Sequence, residues 1–178
     1  MAEREPHAFR VPGVSAALLE RPIDYLLAEH ERHRALCLFL KETARSGHID
    51  RESATNAARF LETDLKRHFD DERLLFYPAL VQRSNRDTEF VLAIRNVERV
   101  HAGTEGLIDH LIDLLEGMAD SETGILPDAL QEIFDEYAAQ ELRVLAYENS
   151  VIMSIAGVRL RRGDLAKIGE GLKARRQG

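Results

Sequence analysis

Leu61-Glu62-Thr63-Asp64-Leu65-Lys66-Arg67-His68-Phe69-Asp70-Asp71-Glu72-Arg73-Leu74-Leu75 is the stretch on which the fold turns. Leu61, Leu65, His68, Glu72 and Leu75 recur in steps of three and four, the period of one face of an α-helix. A histidine and a glutamate therefore share the inward stripe with leucines. A carboxylate in that position is costly unless it is paired or bound to a cation. The same stripe extends back through Ala54, Ala57 and Ala58 and forward to Leu80. Asp50 is placed to cap the helix, and Pro78 is expected to kink or end its regular geometry.

Three further segments repeat the pattern. Pro22 suits a first helical turn. Ile23, Leu26, Leu27, His30, Leu36, Phe39 and Leu40 then run at helical spacing to about Ser46, where Gly47 ends the helix. After the polar turn at 83–87, Phe90, Ile94, Val97, His101, Glu105, Ile108, Ile112 and Leu115 mark a third helix. Gly103 and Gly106 weaken it by roughly 1 kcal/mol each relative to alanine. Pro127 suits the first turn of a fourth helix through Leu130, Ile133, Phe134, Tyr137, Glu141, Val144, Leu145, Glu148, Ile152 and Ile155, which Gly157 is expected to stop. A short terminal helix over 164–176, capped by Asp164, follows. The expected fold is all-α: an up-down-up-down four-helix bundle over 21–157, an irregular N-terminal lead-in over 1–20, and a C-terminal tail with a short helix over 158–178.

Composition agrees. With 44% hydrophobic and 31% charged residues, no Trp and five Pro in 178 residues, the chain reads as one globular helical domain. A net charge of −7 argues against nucleic acid or an anionic membrane as the main partner. The basic residues Lys173, Arg175 and Arg176 read as a solvated end. Residues 1–10 lack the apolar core of a signal peptide, and no run of eighteen apolar residues occurs. With a single cysteine, Cys37, read as packed core, a cytoplasmic location is expected.

The chemistry-bearing residues sit at matching heights on the four helices. His30 lies on the inward stripe of the first, and His68 and Glu72 on that of the second. His101 and Glu105 repeat the His-x-x-x-Glu spacing on the third, and Glu148 is the inward glutamate of the fourth. Residues four apart in a helix stack on one face, so such pairs reach one ion or an adjacent pair. Three imidazoles and three carboxylates without thiolate suit iron, manganese or zinc, and supply enough donors for two ions, with Glu72 and Glu148 as bridges. His33, one turn from His30, is a candidate to support a ligand. Asp71 is either solvated or hydrogen-bonded to an imidazole.

His30 in Leu26-Leu27-Ala28-Glu29-His30, the run from His68 to Pro78, and His101 in Val97-Glu98-Arg99-Val100-His101 resemble the bacterial hemerythrin-like (HHE cation-binding) domains over about residues 21–156. The resemblance implies a four-helix bundle holding two non-haem iron ions, with His30, His68, Glu72 and His101 as ligands and Glu72 bridging. It implies a small diatomic ligand or peroxide as partner. The fourth helix departs from the family pattern: Val144 stands where a histidine is expected, Glu148 is retained, and Asn149 replaces a neighbouring glutamate. Glu105 is the expected substitute donor, ahead of Glu141 or Tyr147. Exchange of imidazole for carboxylate favours oxidised metal, hence ferritin-like or peroxide-handling chemistry, with weak oxidase or catalase-like turnover at most. The competing expectations are a helical interaction or sensory module with a degenerate site, and iron storage or delivery. A homodimer is compatible with the sequence.

Overall fold

The computed structural model describes residues 8–177, so Pro6 and His7 of the lead-in lie outside the described residues. Helix α1 spans Pro22–Ser46, α2 spans 51–83, α3 spans Thr88–Asp120, α4 spans 128–159 and α5 spans Arg162–Ala174. The described lead-in ends in a 3₁₀ turn, Ala16–Glu20, where an irregular path was expected. Local chemistry sets most boundaries. Pro22 opens α1, and Gly47, at φ 65°, closes it in the left-handed region that a glycine adopts freely. The Asp50 carboxylate accepts the Ser53 N–H at 2.8 Å to cap α2, and Asp87 caps α3 through the Phe90 N–H.

Three expectations are corrected. Pro127 is the residue before α4, not within its first turn. Gly157 does not stop α4, which runs on to Arg159; a boundary after 157 falls inside the helix. Helix α5 starts at Arg162, and Asp164 reaches back to the Arg161 N–H at 2.9 Å from the third helical position instead of capping ahead of it.

Helix α1 packs along α4, and α2 along α3. Their apolar faces form two separate cores. One joins Leu36–Ala44 of α1, Ala54–Leu65 of α2, Ile108–Met118 of α3 and Phe134–Ala138 of α4. The other joins Tyr25 and Leu26, Phe76–Leu80, Phe90–Val97 and Ile152–Ala156, with Ile168 and Leu172 of α5. Each core takes the end of one helix and the start of the next, as alternating helix directions require. Between the cores lies a polar layer. Helix α5 closes the second core, lying so near the 3₁₀ turn that a Cβ on Gly169 would meet the Leu19 carbonyl at 2.7 Å.

Both α2 and α4 contain π-helical turns: 60–65 and 72–76 in α2, and 148–153 in α4. Pro78 therefore bends no helix to a stop. The turn before it widens, and the Tyr77 N–H donates to the Glu72 carbonyl five residues back.

The basic C-terminal residues are not a solvated tail. Arg175 donates to Asp71 at 2.7 Å and Arg176 donates to its other oxygen at 2.6 Å, while Asp71 is 1% exposed. Arg176 also donates to the Tyr25 hydroxyl at 2.8 Å and lies over the Tyr25 ring. Tyr25 in turn donates to Glu29, and Arg32 bridges Glu29 to Asp64. Asp71 thus bonds arginines and no imidazole. Arg176→Ala is expected to destabilise the protein by roughly 3 kcal/mol, the low end for orphaning half of a buried pair because Arg175 remains. Adding Asp71→Asn should restore most of the loss. Urea denaturation of the two single variants and the double variant measures this, and a loss under ~0.5 kcal/mol would reduce the contact to a surface bridge.

Candidate metal centre

The polar layer is built from one or two residues of each long helix. His30 comes from α1, His68 and Glu72 from α2, His101 from α3 and Glu148 from α4, and all are buried. Glu72 is the hub. Its Oε1 lies 3.1 Å from His30 Nε2, and its Oε2 lies 3.8 Å from His68 Nε2 and 3.7 Å from His101 Nδ1. His101 Nε2 faces Glu148 Oε1 at 3.8 Å. His30, His68 and Glu72 each bring one donor atom within 4.8 Å of the other two, and Glu72, His101 and Glu148 do the same. Donors to one first-row ion at about 2.0–2.2 Å stand up to ~4.4 Å apart, and the His–Glu separations of 3.1, 3.7 and 3.8 Å lie inside that span.

Supporting contacts aim these groups. His30 Nδ1 donates to Asn149 Oδ1 at 2.6 Å, which turns Nε2 toward Glu72. The Tyr77 hydroxyl donates to Glu148 Oε1 at 2.5 Å. Phe69 stacks on the His101 ring at 4.1 Å between centroids. Glu72 and Glu148 each begin a π turn. The extra residue in such a turn re-registers the helix, so that Glu72, Phe76 and Tyr77 all point inward, as do Glu148, Ile152 and Met153.

Of the six residues expected from sequence, five meet here. Glu105 does not: its side chain is exposed and lines a cleft of about 300 Å³ between α2 and α3, with Phe69, Arg73, Tyr77, His101 and Ile108. One turn past His101 it has already rotated off the bundle axis. The cleft reaches His101, the one ring of the layer with appreciable exposure, at 6%. Gly103 and Gly106 are exposed, with open space where a Cβ would stand, so neither serves close approach. Asn149 and Tyr77 are the contributors that sequence reasoning missed. Asn149 was read as a lost glutamate and Tyr77 only as part of a motif.

The electrostatics leave a gap for a cation. Both nitrogens of His68 and Oε2 of Glu72 are buried without a hydrogen-bond partner, each an expense of about 1–3 kcal/mol. Burial works against the charge on Glu72, but His68, His30 and His101 outweigh it and hold the carboxyl down at about 2. Burial, then the neighbouring Glu72, pushes Glu148 up to about 8. Desolvation opposes the charged form of His30, yet its bond to Glu72 takes it to about 9, whereas burial drives His68 down to about 3. One ionised carboxylate faces orphaned imidazole lone pairs, with a second carboxyl beside it. The donors fit a metal.

The family model of the hemerythrin HHE cation binding domain matches residues 21–96, which cover α1, α2 and the start of α3. His30, His68 and Glu72 fall inside the match, while His101 and Glu148 lie beyond it. No curated protein and no solved structure matches the chain.

The metal-free protein has a predictable pH response. Glu148, with Glu141 raised by burial to about 7, and His30 at about 9 all sit above their unfolded values. Stability from such groups is complete below the unfolded value and lost as pH rises through the folded one. His68 acts oppositely but only below about 6.5. Thermal melts in chelator should therefore fall steadily between about pH 6.5 and 9, and Glu148→Gln should flatten the slope. A rising melting temperature across that window would contradict these environments. With its metal-compatible His/Glu layer, the all-helical chain is similar over residues 21–96 to the hemerythrin HHE cation binding domain.

Proposed function

We propose that the polar layer holds two non-haem iron ions and reacts with a small oxidising ligand, dioxygen or peroxide, with nitric oxide as an alternative ligand. One observation carries this reading: Glu72 belongs to both His/Glu triads at once. A carboxylate shared between two donor sets is what a bridged metal pair requires. His30, His68 and Glu72 would hold one ion, and Glu72, His101 and Glu148 the other. Iron bound there would supply the electrons for reducing such a ligand. The mixed imidazole and carboxylate set also admits manganese or zinc.

The protein's own residues account for the rest. Asn149 fixes the ring of His30, and Tyr77 fixes one oxygen of Glu148. Phe69 and Tyr77 wall the cleft that leads from solvent to His101, a passage suited to a small ligand. Two apolar cores seal the layer above and below, which keeps water and larger reductants from the centre. A second reading, a partner-binding module, is favoured by the shallow groove where Val97, Val100, Val144 and Tyr147 meet in place of the family histidine.

Glu72→Ala is the deciding variant. In protein purified from iron-supplemented cells, it should lower the iron content by about two ions per chain and abolish carboxylate-to-iron absorption. Plasma emission and the visible spectrum measure both. If Glu72→Ala kept the wild-type iron and colour, the centre would lie elsewhere. If the wild-type protein took up none after anaerobic ferrous reconstitution, the partner-binding reading would replace this one.

A further inference from the structure

A second polar cluster lies on the first-core side of the layer and belongs to neither triad. His33 is three residues past His30 on α1, and Glu141 seven residues before Glu148 on α4. These offsets are about 4.5 Å and about 10.5 Å along the helix axes. Tyr137 stands one turn from Glu141 on the same face of α4. All three are buried: His33 and Tyr137 are 1% exposed and Glu141 is 0% exposed. His33 Nε2 is 3.7 Å from Glu141 Oε2 and 3.5 Å from the Tyr137 hydroxyl.

The cluster is unsatisfied. Neither oxygen of Glu141 has a hydrogen-bond partner, and His33 Nδ1 has none either. Nothing in the packing explains this. The surrounding core is apolar, with Leu36, Cys37, Phe134 and Ala138 as the neighbours along the two helices. A carboxyl and an imidazole placed side by side there, with no donor or opposite charge supplied, would be a net loss for folding. Replacement by two aliphatic residues would remove that loss. The pair has chemical sense when a cation joins it.

We propose that His33 Nε2, the Glu141 carboxylate and the Tyr137 hydroxyl form a separate site for one divalent first-row cation, distinct from the His/Glu centre. The two separations lie within the ~4.2 Å that two donors at about 2.1 Å from one ion span, so the spacing about His33 Nε2 matches that of donors to a single ion. One imidazole and one carboxylate select iron, manganese or zinc over calcium. Burial holds the Glu141 carboxyl up at about 7, so it gives up its proton readily to an incoming cation at neutral pH. The His33 ring stays neutral, because burial and the other histidines push its titration well below 6.5, and its lone pair is free to bind. The inference needs the proposed metal pair only as a neighbour, and it stands or falls independently of it.

The test loads chelator-stripped protein with ferrous iron under argon, desalts it and counts bound metal. Four proteins are compared: wild type, Glu72→Ala, Glu141→Gln and the double variant. About three, one, two and zero ions per chain are expected, respectively. Equal counts in wild type and Glu141→Gln would overturn the separate site. Failure of the paired centre has a different signature, with about one ion in wild type that Glu72→Ala leaves in place and Glu141→Gln removes. Glu141→Gln keeps side-chain shape, and removes a buried carboxyl. Its melting temperature in chelator at pH 8 should equal or exceed that of the wild type. Lower metal together with a lowered melting temperature in chelator would assign the loss to misfolding and overturn the proposal, unless His33→Gln, melting as the wild type does, also lacks one ion.

Discussion

The structure depends on one buried negative charge. Glu72 is fully enclosed, and taking an isolated carboxylate out of water costs several kcal/mol even after relaxation. Three imidazoles surround it, each from a position that the apolar stripe would otherwise fill with leucine or valine. The two apolar cores are consequences of this arrangement as much as its support. Each helix has to be hydrophobic on both sides of the layer for the layer to stay dry. A continuous core would bury more apolar surface and fold more simply. Its interruption at one height on all four helices is what assembles the polar layer.

Holding a site to that tolerance strains the regular helix, and the departures fall where the ligands are. A uniform α-helix cannot point Glu72, Phe76 and Tyr77 inward together, because 76 and 77 are about 100° apart. The π turn beginning at Glu72 solves this and absorbs the missing N–H of Pro78 in the next turn. Tyr77 then reaches across to Glu148, which begins the π turn of α4. Two helices are thus irregular at facing points and joined there by one hydrogen bond.

Much of this was legible in the sequence. The 3.6-residue stripes gave four helices, Gly47 and Asp50 marked the first turn, and His30, His68, Glu72, His101 and Glu148 followed from asking which polar residues interrupted a stripe. What was not legible came from geometry that spacing does not carry. Glu105 sits at the right separation from His101, but Thr104 takes the inward position of α3 at that height and Glu105 turns out to the surface. Asn149 reads as a lost glutamate, whereas in the fold it lies in the π turn of α4 and its amide oxygen meets His30 Nδ1. Arg175 and Arg176 look like a charged end, since nothing local shows that Asp71, more than a hundred residues earlier in the chain, is buried against them. Helix ends failed for a similar reason: burial of Ala156 and Leu160 in the second core carries α4 past Gly157, overriding a propensity of about 1 kcal/mol.

The loss of histidine at Val144 bears most on the two triads. The first, His30, His68 and Glu72, has two imidazoles and is buried at every member. The second, Glu72, His101 and Glu148, has one imidazole and two carboxylates, and its His101 borders the cleft. Neither Glu141 nor Tyr147 supplies a substitute donor: Glu141 lies toward His33, and Tyr147 is 41% exposed. A pair of ions held this way would be asymmetric. Both positions would have three protein donors, but the cleft-side position would border the cleft and have one more carboxylate around it. Hard carboxylate donors stabilise the higher charge state of a metal more than imidazole does. Ligand access and ease of oxidation then coincide at the same ion. That combination suits electron delivery to an incoming oxidant better than reversible carriage of one.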